Sequence, residues 1–232
     1  MVFGTPHRHF KVTDSTNARA RELVEAGAPG GTVVTAAEQT AGRGRQGRSW
    51  TAPPGKALLY SAVLRPLDER HLLLPLAVPL AVCEAAEQLQ PGIECRIKWP
   101  NDIWLDGRKL AGVLIEAKPQ DGWAVIGVGL NLSIAPDEFP PELRETATSL
   151  GGNATAAAAR GGLNTALDRW VAASRSSILD AWRSRDALRG REVAWDGGAG
   201  VADGIADSGD LLVAVAGGDR VVLGAGEVHL RL

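Results

Sequence analysis

Three arginines stand close together in the stretch TAGRGRQGRSW, residues 40–50. Arg43, Arg45 and Arg48 are separated by glycines, which give the backbone freedom but no side-chain support. Guanidinium groups bind phosphate and carboxylate through paired, charge-assisted hydrogen bonds. The spacing is therefore typical of a mobile loop that closes over a small anion. A solvated surface loop is the alternative interpretation.

The glycines of this loop also spell GxGxxG, but the surrounding sequence argues against a dinucleotide fold. That fingerprint requires a helix beginning at the loop, so that the helix N-terminus meets a pyrophosphate. Here Pro53-Pro54-Gly55 follows, and then another predicted strand. A Walker-type GK[ST] sequence is also missing from the chain.

The stretch KWPNDIWLDGRKLAG contains Lys98 and Lys109, two of only 5 lysines in a chain with 20 arginines. Lysine is a compact charge on a flexible stem, so it can follow a moving oxyanion. The Asp-Gly pair between them predicts a hairpin turn, which would place Asp102 and Lys109 on adjacent strands. A surface hairpin with an ordinary ion pair is the alternative.

A third stretch, GVGLNL, combines small residues with one amide side chain. Glycines in a strand let a planar ligand approach the backbone, and Asn131 could then read the edge of a base. Alone the pattern is weak, because glycine in a strand also marks a bulge.

The composition indicates a globular protein with a sizeable core, since 45 % of residues are apolar and 22 % are charged. A net charge of -2 argues against a general nucleic-acid binder, so any anion site is local. Cys83 and Cys95 have no framework spacing, which predicts reduced thiols and a cytoplasmic location. We find neither a signal-peptide pattern nor an apolar run long enough for a membrane span.

The elements that must position these residues follow from periodicity and turn signals. The prediction is a strand at 9–12, a helix from about 14 to 27, strands at 32–38 and 57–64, a helix over about 72–90, an antiparallel meander over 93–132 and a core-facing helical stripe over 163–186. His7 and His9 are interpreted as strand-face residues, because two histidines alone do not make a metal site.

From residue 189 the sequence changes to short strands and turns. We therefore predict a main domain over 1–188 and a small β domain over 189–232. About 44 residues is near the limit for independent stability, so the smaller unit should pack on the larger one.

Taken together, these stretches resemble the biotin protein ligase family. The resemblance rests on DSTN (14–17), EQTAGRGRQGRSW (38–50), KWPNDIW with KLAGVLIE (98–116) and GVGLNL (127–132), and it continues through ATSL (147–150) to the terminal GEVHLR. The motifs occur in one order over nearly the whole chain, which makes the match specific.

The resemblance implies an α+β fold: a mixed, largely antiparallel sheet with helices, like class II synthetases, plus a small C-terminal SH3-like β-barrel. It implies that biotin and ATP form biotinyl-AMP with release of pyrophosphate, with Mg²⁺ present. The biotinyl group then passes to a lysine of a biotin carboxyl carrier domain. DNA and membranes are not expected partners, and both a monomer and a homodimer are compatible with the sequence.

The resemblance also implies roles for individual residues. Biotin would contact Ser15, Thr16, Asn17, Gln39, Arg43, Gly44, Arg45 and Lys109. ATP or the adenylate would contact Arg45, Arg48, Trp50, Lys98, Asn101, Lys109 and Asn131. Catalysis would depend on Lys109, Arg45 and Asp102, and Asp102 could also hold Mg²⁺ or meet the acceptor lysine.

The sequence departs from some relatives in two features, and three other functions are weighed against a biotin protein ligase. The family pattern begins near residue 10, so we expect a monofunctional form without the N-terminal helix-turn-helix domain of some relatives. Gln46 occupies a loop position that can be basic in relatives. The alternatives are a lipoate ligase, whose arginine-plus-glycine motif we do not find, a DNA-binding regulator, which a mobility shift assay would test, and an inactive biotin sensor.

Overall fold

A computed structural model describes residues 2–224, 226 and 228–230. The helices are α1 (Thr16–Glu25), α2 (Leu74–Leu89), α3 (Ala156–Val171) and α4 (Arg175–Ser184). The strands of the first part are β1 (His7–Thr13), β2 (Val33–Gln39), β3 (Ala57–Leu64), β4 (Arg96–Lys98), β5 (Asp102–Leu105), β6 (Arg108–Lys118) and β7 (Trp123–Asn131). The remaining strands are β8 (Glu192–Trp195), β9 (Gly198–Ile205), β10 (Leu211–Ala214), β11 (Arg220–Leu223) and β12 (His229–Leu230).

Seven strands form one mixed sheet in the order β1-β2-β3-β7-β6-β5-β4. Only the β1–β2 pair is parallel, and the other neighbours run antiparallel. The consecutive strands β4 to β7 are the predicted antiparallel meander. The predicted α+β fold with a largely antiparallel sheet is thus confirmed.

Strand β3 explains how helices cover both faces of this sheet. All eight of its residues are buried, and successive side chains point to opposite faces. Tyr60 and Leu64 join the large core formed with α2, α3 and α4. Val63 instead packs with Ala20 and Val24 of α1 on the opposite face. The polar N-terminus of α1 is thereby fixed against the middle of the sheet.

The apolar residues predicted as a helical stripe over 163–186 are buried, but they belong to two helices and not to one. Leu163 and Leu167 are buried on α3, and Ile178 and Trp182 are buried on α4. The side chain of Ser174 accepts a hydrogen bond from the Ser177 amide and begins the second helix. The apolar spacing alone did not reveal this cap.

Strands β8 to β12 form a five-stranded antiparallel sheet. Its buried residues Val193, Leu211 and Val213 belong to the same apolar cluster as the main core. The indole nitrogen of Trp99 also donates a hydrogen bond to the Gly209 carbonyl at 3.1 Å. The C-terminal sheet is therefore in direct contact with the KWPND segment.

His7 and His9 lie on β1 as predicted, where each ring bonds the Thr35 hydroxyl. Cys83 and Cys95 are buried free thiols. Within the described ranges, the helices are all too short or too polar to cross a membrane.

Candidate active site

The arginine-rich segment, residues 42–50, folds as a small hairpin that we call the arginine loop. Arg43 and Ser49 form an antiparallel bridge, and the Gly44 amide donates to the Arg48 carbonyl at 2.7 Å. The turn places Gln46 at a φ of 55°. The segment is therefore a structured hairpin and not a bare glycine loop. Few backbone hydrogen bonds hold it in this shape.

The arginine loop covers a cavity of about 180 Å³, which we call the inner cavity. Every predicted site residue except Asn131 lines it: Ser15, Thr16, Asn17, Gln39, Arg43, Gly44, Arg45, Arg48, Trp50, Lys98, Asn101, Asp102 and Lys109. Residues from four separate sequence motifs thus meet around one small space.

A wider cavity of about 850 Å³ shares Arg43, Gly44, Arg45, Arg48 and Ser49 with the inner cavity. We call it the outer groove. Its other walls include Leu76 in the first turn of α2, Leu72 just before that helix, Glu116 of β6 and Asp210 in the turn before β10. The arginine loop is therefore a wall common to two cavities.

One end of the inner cavity is built from neutral polar groups at the N-terminus of α1. Ser15 is the N-cap residue, but its side chain makes no capping hydrogen bond. The amide of Thr16 donates to Gln39 Oε1 at 2.6 Å, and the Thr16 hydroxyl lies 2.9 Å from the same oxygen. Hydroxyl and amide groups in a buried setting can recognise a neutral polar ligand by hydrogen bonding.

The floor of the cavity contains two glycines that face each other on β6 and β7, Gly112 and Gly129. The Trp50 ring lies against them, so a Cβ atom at Gly129 would come within 2.3 Å of the indole. The indole nitrogen of Trp50 is buried and has no hydrogen-bond partner among the described residues. Most buried donors have a partner, so this indole is an exception among the polar groups of the site.

The other end of the cavity is cationic. Lys109 Nζ lies 2.6 Å from Asp102 Oδ1 and 5.8 Å from the centre of the Trp50 ring. The two residues lie on β6 and β5, so the predicted placement on adjacent strands is confirmed. One carboxylate thus holds a lysine that would otherwise be unrestrained.

Burial acts on two further cations here. Burial lowers the pKa of Arg45, while the nearby Asp102 carboxylate opposes that shift. Burial also lowers the pKa of Lys98, and the charges of Lys109 and Arg48 add to the effect against the opposing Asp102. Cations held together in a partly dry cavity favour the entry of an anion.

Of the two asparagines predicted to contact the nucleotide, only one lines the inner cavity. Asn101 lines the inner cavity, yet its amide donates to the Val113 carbonyl at 2.8 Å and so fixes the β5–β6 hairpin. Asn131 is buried outside the cavity lining, where its amide donates to the Thr148 carbonyl at 2.9 Å. Thr148 in turn donates its amide to the Lys109 carbonyl, and the contact of Asn131 with adenine stays a prediction.

Several lining residues were missed by the sequence interpretation. Gly226, Val228 and His229 come from the C-terminal sheet, which no local pattern linked to the site. Ser61, which is fully buried behind the cavity, bonds both Thr16 and Asn17. A single polar residue within the apolar strand ALLYSAVL was a usable signal, because buried polar groups need partners.

The sequence matches the model of the biotin/lipoate A/B protein ligase family over residues 9–132, more than half of the chain. The chain is similar to biotin--[acetyl-CoA-carboxylase] ligase of Mycobacterium tuberculosis, with 38 % identity over 98 % of this chain and 91 % of that protein. It is also 39 % identical to the bifunctional ligase/repressor BirA of Bacillus subtilis over 64 % of this chain.

The match to the Bacillus subtilis relative spans 47 % of that protein, about half of its length. Among solved structures, biotin protein ligase from Aquifex aeolicus in complex with biotin and ATP is similar at a TM-score of 0.80. That likeness covers 98 % of this chain and 99 % of the other, with 29 % identity. Sequence and fold agree, and the chain belongs to the biotin/lipoate A/B protein ligase family.

Proposed function

We propose that the protein is an ATP-dependent biotin protein ligase. It would join biotin to AMP with release of pyrophosphate, and then transfer the biotinyl group to a lysine of a biotin carboxyl carrier domain. One observation carries the proposal: a single small cavity holds neutral polar groups from α1 at one end and lysines and arginines at the other. Biotin has matching chemistry, with a neutral ureido ring at one end and a carboxylate at the other.

In the first step, a biotin carboxylate oxygen forms a bond to the α-phosphorus of ATP. The bond between that phosphorus and the bridging oxygen breaks, and pyrophosphate leaves with the electron pair. Two anions must approach each other, so the protein's contribution is positioning and charge stabilisation. Lys109 and Arg45 are the groups we assign to this task, because both line the cavity beside Asp102.

In the second step, the acceptor amine attacks the acyl carbon of the mixed anhydride, and AMP leaves. The attacking amine must lose a proton, and we assign Asp102, a carboxylate of the cavity lining, as the group that accepts it. The arginine loop would shield the anhydride from water until the acceptor arrives. No covalent bond to the enzyme is required in either step.

Mg²⁺ is expected with ATP, and the residues described around Asp102 would supply it with few protein ligands. The described part of the chain contains no group of three metal-binding side chains. The Asp102 carboxylate is also already paired with Lys109. In the first step we assign Asp102 to holding Lys109, and Mg²⁺ would be held mainly by the phosphates of its nucleotide.

Thermal-shift measurements with biotin, lipoate, ATP and biotin plus ATP test the proposal. We expect biotin to raise the Tm, and biotin plus ATP to raise it further as a tightly held adenylate accumulates. Labelled biotin should then appear on an added carrier domain, and not on the same domain with its acceptor lysine replaced by arginine. Stabilisation by lipoate but not by biotin would contradict the proposal and favour a lipoate ligase.

A further inference from the structure

A continuous set of hydrogen bonds leads from the inner cavity along the sheet to Glu116 near the end of β6. It begins at Gln39, whose Oε1 accepts from Thr16. Ser61 Oγ then lies 2.8 Å from the Thr16 hydroxyl and 2.6 Å from Asn17 Oδ1. Asn17 Nδ2 finally donates to Glu116 Oε2 at 2.7 Å. The path thus ends on a carboxylate that no step of the proposed reaction uses.

Glu116 faces the arginine loop with its other oxygen. Glu116 Oε1 lies 3.9 Å from guanidinium nitrogens of both Arg43 and Arg21. Its side chain is 31 % exposed, and it lines the outer groove but not the inner cavity. Glu116 therefore contacts both the polar network and the first arginine of the loop without reaching the ligand space.

The carboxylate orients the Asn17 side chain. An ionised carboxylate only accepts hydrogen bonds, so the Asn17 amide turns its NH₂ group toward Glu116 at 2.7 Å, and the same group also donates to the Leu114 carbonyl at 3.4 Å. Its carbonyl oxygen then faces Ser61, which has a single proton to donate. The Thr16 hydroxyl gives its own proton to Gln39 Oε1, so it accepts from Ser61, whose proton is shared between Thr16 and Asn17. A neutral amide at position 116 fixes the Asn17 amide less firmly than a carboxylate, because it both donates and accepts.

We propose that Glu116 is a positioning residue of the ligase reaction. It fixes the direction of the Asn17 amide at the N-terminus of α1, and it holds Arg43 where the arginine loop begins. The inference rests on the proposed function, because the orientation matters only if biotin binds at Thr16 and Asn17. An exposed ion pair at this distance is weak, so the loop can leave Glu116 when a ligand draws it inward.

The test compares Glu116→Gln, which keeps the size and removes the charge, with Glu25→Gln. Glu25 lies at the end of α1 and pairs with Lys118, away from both cavities, so it is a matched control. We expect Glu116→Gln to raise the KM and Kd for biotin about tenfold, which corresponds to about 1.4 kcal/mol. The kcat for pyrophosphate release should change less than about twofold. Glu25→Gln should change none of these values.

Trypsin cleavage of the ligand-free protein tests the loop separately. Loss of an exposed ion pair should speed cleavage after Arg45 and Arg48 about two- to fivefold in Glu116→Gln. Ser61→Ala breaks the network but leaves Glu116 beside Arg43, so it should weaken biotin binding without changing cleavage. If Glu116→Gln misfolds, which its Tm would reveal, the Ser61→Ala comparison still decides whether the network positions the ligand.

Several outcomes would overturn the proposal. One is a Glu116→Gln protein that matches Glu25→Gln in biotin KM and in cleavage rate, and another is a loss of kcat with unchanged KM. A Ser61→Ala protein with unaltered biotin affinity would remove the network from the mechanism. A wild-type protein that neither binds biotin nor releases pyrophosphate would instead defeat the proposed function, and the cleavage comparison would still decide the Glu116–Arg43 contact.

Discussion

The ammonium nitrogen of Lys109 lies 2.6 Å from a carboxylate oxygen of Asp102, across the neighbouring strands β5 and β6. The Lys109 side chain is 35 % exposed and the Asp102 side chain is 19 % exposed. The pair is thus held in place while the lysine keeps access to the inner cavity. An incoming oxyanion can share this lysine with Asp102 without a large movement of the backbone.

The first prediction concerns the charge of Lys109. Lys109→Gln should cost roughly 2–4 kcal/mol in adenylation, comparable to the loss of one preorganised donor in other enzymes. Biotin affinity should fall less, because the polar contacts at the N-terminus of α1 remain. Lys109→Arg should not restore the rate fully, because a planar fork does not occupy the position of a compact ammonium.

Biotin-dependent pyrophosphate exchange and calorimetric biotin binding check this prediction for both variants. Equal losses in exchange and binding would make Lys109 an ordinary biotin contact. Unchanged values in both assays would mean that the site is assigned to the wrong residues.

The second prediction concerns the glycine floor beneath Trp50. Gly129→Ala would place a Cβ atom 2.3 Å from the indole, so the ring and the attached arginine loop must move. We expect at least about a tenfold fall in adenylation, since a small misplacement of binding groups has effects of that size. Faster tryptic cleavage of residues 43–48 should accompany it.

Gly161→Ala is the matched control for this substitution. Gly161 lies on α3, and a Cβ atom there would meet nothing within 4 Å. Alanine should therefore stabilise the helix by about 0.5–1 kcal/mol and leave adenylation unchanged. Normal activity in Gly129→Ala would show that the Trp50 position is unimportant.

The third prediction concerns the contact between Trp99 and the C-terminal sheet. Trp99→Phe removes the hydrogen bond to the Gly209 carbonyl and should cost about 1 kcal/mol beyond the loss of ring volume. Trp182→Phe is the control, because the buried Trp182 nitrogen has no partner in the described residues. Urea unfolding measures the difference between the two variants.

Adenylation should decrease in Trp99→Phe and not in Trp182→Phe, because only Trp99 precedes the Asn101–Asp102 segment of the cavity. Equal stability losses in the two variants would argue that the hydrogen bond between the sheets contributes nothing. The separation of the chain into 1–188 and 189–232 remains a prediction. The shared apolar cluster leads us to expect that the isolated smaller segment has no cooperative melting transition.

The fourth prediction concerns the stability that the protein loses by burying the charged Lys98 in the site. Burial lowers its pKa in the folded protein, so the unfolded chain binds more protons at alkaline pH. Lys98 therefore lowers the free energy of unfolding most at pH values below its folded pKa. This destabilisation decreases as the pH rises toward the ordinary lysine pKa of 10.5. Lys98→Met should raise the Tm of the ligand-free protein at neutral pH.

The same variant should slow adenylation, which would identify Lys98 as a residue kept for function at the expense of stability. Lys118→Met is a suitable control, because Lys118 lies on the surface beside Glu25. Melting curves between neutral and alkaline pH provide the measurement. A lower Tm in Lys98→Met would contradict the prediction.

Local patterns were sufficient to predict much of this molecule. The Asp-Gly turn placed Asp102 beside Lys109, and the meander from β4 to β7 followed from the same kind of signal. The family resemblance supplied the residues that line the inner cavity. These features depend on interactions between segments close together in the chain, or on motifs that are quoted directly from it.

Other features depend on packing between distant segments and were not predictable in this way. Ser61 and Glu116 lie 55 positions apart, yet Asn17 connects them. The approach of His229 to the cavity requires the C-terminal sheet to dock in one orientation. Asn131 is absent from the lining of the inner cavity, and its place in a recognised motif leaves its contact with adenine a prediction.

The common wall between the inner cavity and the outer groove has a mechanical consequence. When the arginine loop moves toward the inner cavity, the inner cavity becomes smaller and the outer groove becomes larger. A bulky molecule pressed into the groove and a ligand beneath the loop therefore oppose each other sterically, without touching. The filling of one compartment therefore limits how far the arginine loop can withdraw from the other.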